Sequence, residues 1–112
     1  MTRLDKRHLR RMLPWISLMR RERCSVWRGA RAMDGFYHAL EASDETWYSE
    51  LQSHIVTLEL AGTDSEILIA QMGNEYHEFV NETLDRLEEI ILSRFPGGIV
   101  PTEDEEEEDE EE

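Results

Sequence analysis

Cysteine is almost missing from this sequence, and Cys24 stands alone in 112 residues. One thiol cannot close an intrachain disulfide or build a cysteine zinc cluster, and such scarcity fits a reducing compartment. Long apolar runs are missing too: none approaches the roughly 20 residues needed to span a bilayer. The Arg-rich start has little Ser and no clean cleavage pattern, so it resembles a transit peptide only in its charge. These absences point to a cytoplasmic protein, or a nuclear one in a eukaryotic or viral setting.

Catalytic signatures are equally sparse. There is no glycine-rich phosphate loop and no His-Glu-x-x-His zinc pattern. Glu50 with His54, and His77 with Asn81, share helix faces at i, i+4. The Glu-x-x-His pairs of di-iron bundles are nevertheless absent. Glu75-x-x-Glu78 and Glu82-x-x-Asp85 resemble the magnesium pairs of all-helical nucleotide pyrophosphohydrolases. Here all four carboxylates fall on one polar arc of one helix, whereas a cluster needs pairs converging from different helices. Cys24 sits among arginines with no evident histidine partner. No catalytic residue, metal site or cofactor is expected.

Basic residues are nearly absent beyond residue 31. Residues 1–31 hold ten Lys/Arg against Asp5 and Glu22, a net +8, whereas residues 32–101 oppose fourteen acids with Arg86 and Arg94 alone. Residues 102–112 add ten more acids, bringing the chain to −14. That terminal run is expected to be a disordered, solvated tail, because like charges at such density cannot collapse.

What is present in quantity is amphipathic helix pattern. At roughly 100° per residue, residues 63–95 place Leu68, Met72, Tyr76, Phe79, Val80, Leu84, Leu87, Ile90, Ile91 and Phe95 on one half. Glu75, Glu78, Glu82, Asp85, Glu88 and Glu89 take the other. Ile67, Leu92 and Arg86 break the division. Thr63-Asp64-Ser65-Glu66 reads as a capping box and Pro96-Gly97-Gly98 as the stop. The expectation is one rod of roughly 45–50 Å.

Earlier segments are shorter. Residues 2–14 would form a helix oily on one side (Leu4, Leu9, Met12, Leu13) and basic on the other, with Thr2 as cap and Pro14 as stop. Ile16, Met19, Arg23, Val26, Ala30, Met33, Tyr37 and Leu40 follow heptad spacing. Gly29 and Gly35 each cost about 1 kcal/mol in a helix, so residues 15–42 form either one helix or two broken near Asp34 and Gly35. Ser43 or Asp44 would cap a further helix through Trp47, Tyr48, Leu51, Ile55 and Leu58, stopped by Gly62. Residues 54–60 have some strand character, but no second strand is available to pair with them.

The fold class expected is all-α: a small bundle or hairpin built on the long C-terminal helix. Its divisions are a basic arm (1–14), a helical domain (15–95), and a linker with acidic tail (96–112). Three Trp, three Tyr, three Phe and five Met are many for so small a core, and such residues favour interfaces. The function expected is therefore a non-enzymatic interaction module, docking a protein partner or a second copy through an apolar face. Trp15, Met19, Trp27, Met33, Tyr37, Trp47, Tyr76, Phe79, Leu87 and Ile91 are its candidate contacts. An alternative is nucleic-acid binding through Arg3, Lys6, Arg7, Arg10, Arg11, Arg20, Arg21, Arg28 and Arg31, with the tail as an intramolecular competitor. Those basic residues would equally suit an acidic protein partner or this chain's own acidic surface. A lesser alternative is a DNA mimic that blocks a DNA-handling enzyme. Compact, acidic and tail-bearing, the chain has the composition of a viral accessory protein.

Overall fold

A computed structural model describes residues 2–41 and 45–98. Among them are five helices: α1 (Arg3–Arg20), α2 (Val26–His38), α3 (Thr46–Thr63), α4 (Ser65–Met72) and α5 (Glu75–Ser93). The chain is all-α, a small helical bundle. Helix α1 packs on α2 and α5, α3 packs on those same two, and α4 rests more lightly on α3 and α5. The expected acidic tail, and the Ser43 and Asp44 caps, lie outside the described residues.

The core follows the heptad and helix periodicities. Leu9, Met12, Ile16 and Met19 from α1 meet Ala30, Met33 and Tyr37 from α2. Trp47, Leu51, Ile55 and Leu58 of α3 close over them with Tyr76, Val80, Leu84, Leu87 and Ile91 of α5. Each fully buried Leu or Ile contributes about 1.5–3 kcal/mol, enough in sum to override weak local stop signals.

Pro14 shows that override. It lies inside α1 rather than ending it, so residues 1–14 are not a separate arm. An interior proline forfeits one backbone bond, but Pro14 points to solvent while Met12 and Ile16 on either side are buried. The Thr2 hydroxyl accepts from the Asp5 amide at 3.0 Å, capping the helix as expected.

The break in residues 15–42 falls at residues 21–25, and α2 runs straight through Gly35. Helix α1 ends in a Schellman arrangement: Glu22 N–H donates to Met19 O at 3.1 Å, and Arg23 N–H to Leu18 O at 2.8 Å. Such an ending needs a left-handed residue, and Glu22 takes that role with φ 57°. Ser25 then caps α2 by accepting from the Arg28 amide at 3.1 Å.

Residues 63–95 are not one rod. Thr63 is the last residue of α3, and its hydroxyl donates to the Glu59 carbonyl at 2.8 Å instead of forming a capping box. Nor is Gly62 a stop. It sits within α3, where the Trp27 backbone presses against it. The real stop is Gly73, with φ 60° and ψ −130°, a conformation essentially reserved for glycine. It separates α4 from α5.

Candidate functional site

Four local features converge at one end of the bundle: the turn after α1, the start of α2, the α3–α4 junction, and the first turns of α5. They enclose an open cleft of about 430 Å³ walled by Met19, Val26, Trp27, Ile69, Tyr76 and Val80. Arg20, Glu22, Cys24, His77 and Asn81 line it as well. The Tyr76 hydroxyl donates to the Ala61 carbonyl at 2.9 Å, which fixes its ring against α3. Burial raises the Tyr76 phenol above its ordinary pKa. Burial also raises the Cys24 thiol, against the opposing charge of Arg28, so Cys24 is held as a poor nucleophile. Glu22 and His77 face each other across 3.7 Å, both exposed.

Two large apolar side chains that line the cleft, Trp27 and Ile69, are exposed, and so are Leu60 of α3 and Ile67 of α4. Trp27 is 50% exposed, Leu60 59%, Ile67 60% and Ile69 44%. Helix α4 has the sequence SEILIAQM, yet none of its residues is buried. Leu68 and Met72 pack half-buried against the core, which leaves Ile67, Ile69 and Ala70 exposed.

The candidate contacts divide sharply. Met19, Met33, Tyr37, Trp47, Tyr76, Leu87 and Ile91 are buried in the core, and Trp15 and Phe79 are half-buried against it. As interior residues, the seven buried ones build the fold instead of presenting a face. Met19 and Tyr76 additionally wall the cleft. Only Trp27 among the ten is exposed. Ile67 broke the apolar division of the expected rod, and it is exposed, as are Ile69 of α4 and Leu60 of α3, which were not among the candidate contacts. The available clue was Ile67-Leu68-Ile69, which no single helix face can bury.

The basic residues divide too. Arg20 binds Asp85 at 2.6 Å and Glu88 at 3.0 Å, bracing α1 against α5. Those bonds, Glu88 foremost, raise the Arg20 pKa further. Arg31 lies 3.6 Å from Glu59 and over the Trp27 ring at 5.8 Å. Arg10 sits above the Phe95 ring at 6.0 Å, and Arg3, Arg7 and Arg11 also have bonding or electrostatic partners. Lys6 is exposed, whereas Arg7 is buried. Arg21 and Arg28 are exposed, as is Arg23, and these three form no ion pair among the described residues.

Glu75, Glu78, Glu82, Asp85 and Glu89 face solvent, and Glu88 is half-exposed. Glu50 and His54 line a shallow groove between α3 and α5 that also contains Arg86. Among the described residues, no three His, Cys, Asp or Glu side chains come together as metal ligands. No described helix is long and apolar enough to cross a membrane. No family model, curated protein or solved structure matches the chain.

Proposed function

We propose that this chain is a non-enzymatic helical interaction module, an adaptor or assembly protein that docks a protein partner or a second copy. The observation that carries this reading is α4: eight residues, mostly apolar, with none buried. Ile69 of α4 and the exposed Trp27 line the same cleft, which can seat an apolar side chain, and Ile67 and Leu60 are exposed as well. Solvating such a surface costs about 25 cal/mol per Å² of apolar area, which docking recovers.

Nucleic-acid binding ranks second. It is supported by the open arginines Arg21, Arg23 and Arg28, and opposed by the net charge of −14 and by the commitment of Arg20 and Arg31 to acids of this chain. Capture experiments with the full chain and an Ile67→Glu/Ile69→Glu variant, with and without nuclease, separate the two. The proposal expects protein or self-capture that resists nuclease and is lost in the variant. Nucleic acid retained equally by both proteins would defeat it.

A further inference from the structure

Helix α3 carries two stripes at helical spacing, where a surface helix needs one. Trp47, Leu51, Ile55 and Leu58 fill the core. On the opposite side, away from α2 and α5, lie Ser49, Ser53, Val56, Leu60 and Thr63, all exposed. Their alternating steps of four and three residues make a heptad seam, the spacing that accepts the side chains of a second helix. None of these residues is charged, although 34% of the chain is. Val56 is 43% exposed and Leu60 59%. The Thr57 hydroxyl donates to the Ser53 carbonyl at 2.9 Å, and that of Thr63 to the Glu59 carbonyl at 2.8 Å. These polar groups are satisfied within the helix and demand no new bond from a partner.

Charge along the seam decides which helix fits. Glu50 and Asp64 take the flanking positions on one edge and Glu59 on the other, and residues 32–85 contain no Lys or Arg. Neighbouring helices bring two bases close: Arg31 of α2 lies 3.6 Å from Glu59, and Arg86 of α5 shares a groove with Glu50 and Glu89. Glu50 and Asp64 still form no ion pair among the described residues. A second copy would set these acids against their own kind, and flanking charges of one sign oppose pairing. A helix with basic flanks meets the seam and both open acids together.

We propose that the outer face of α3 docks an amphipathic helix of a partner protein whose flanking positions carry Lys or Arg. Its apolar side chains seat on Val56 and Leu60, and its bases lie beside Glu50 and Asp64. The inference rests on the interaction reading above, adds a surface to it and gives the partner's chemistry.

The probes are synthetic helices about three heptads long, with Leu at the seam positions and either Lys or Glu at the flanks. Fluorescence anisotropy reads their binding to the full chain at roughly 0.15 M salt, with circular dichroism as the check on folding. The Lys-flanked helix should bind at least about tenfold tighter than the Glu-flanked one. Val56→Glu/Leu60→Glu should weaken it by at least about tenfold, whereas Glu50→Gln/Asp64→Asn should bring the two probes closer in affinity. Because Val56→Glu/Leu60→Glu adds negative charge, bare attraction of a basic helix to an acidic protein would be strengthened by it, so a loss is specific to the seam. No binding, equal binding of the two probes, or binding undiminished in Val56→Glu/Leu60→Glu overturns the inference. So does a wild type whose self-association is abolished by that variant, which would make a second copy the occupant. If the Lys-flanked helix is lost in Ile67→Glu/Ile69→Glu but kept in Val56→Glu/Leu60→Glu, the interaction reading stands while the α3 assignment falls.

Discussion

A Cβ added to Gly62 would lie 2.4 Å from the backbone nitrogen of Trp27. The start of α2 therefore rests directly on the backbone of α3, and this contact places Trp27 at the mouth of the cleft. Gly62→Ala gains about 1 kcal/mol of helix propensity but forces two backbones apart, an overpacking cost of about 1–3 kcal/mol. The expected outcome is a net loss of stability in urea denaturation, together with a shift in tryptophan emission as Trp27 is displaced.

Glu22 holds a left-handed conformation at the end of α1, where a non-glycine residue is disfavoured by about 1–2 kcal/mol. Its contact with His77 is long and solvent-exposed, so little opposes replacement. Glu22→Gly should raise stability by about 1 kcal/mol, read as a higher denaturation midpoint at unchanged slope.

Much of the core was legible in advance because burial follows periodicity. The helix expected through Trp47, Tyr48, Leu51, Ile55 and Leu58 forms, and all of these but the half-buried Tyr48 are buried. The breaks were not legible. Gly73 reads like any other glycine within a periodic run, and only its φ of 60° reveals that the backbone reverses there. Pro14 failed in the opposite direction, because long-range burial of Met12 and Ile16 outweighed a strong local breaker. The cleft depends on both features, since it forms near the α4–α5 break and where α1 reaches its end beyond Pro14.

Arg20 joins α1 to α5 through Asp85 and Glu88. The arginine side chain is 30% exposed and Asp85 67% exposed, so solvent weakens the pair. Arg20→Ala should cost about 1 kcal/mol, at the upper end for surface ion pairs, and Asp85→Asn less. Denaturation at low and high salt provides the check, with the difference between wild type and Arg20→Ala shrinking as salt rises.

Burial, followed by the charge of Arg7, lowers the His8 pKa below its ordinary 6.5, with Asp5 and Glu41 pulling the other way. The unfolded chain accordingly takes up this proton at a higher pH than the folded one. The His8 contribution is complete above pH 6.5 and is lost as pH falls from there through the lowered folded value. Stability measured against pH should therefore decline more steeply below pH 6.5 in the wild type than in His8→Gln.

Photo-crosslinking in the protein's own cells tests most directly whether the exposed side of α4 is a docking surface. A benzophenone side chain at Ile67 lies on that face, and the same group at the exposed Lys6 of α1 serves as the control. The account expects a discrete adduct from position 67, to a second copy or to another protein, and none from position 6. No adduct from position 67, or the same adducts from both positions, would contradict it.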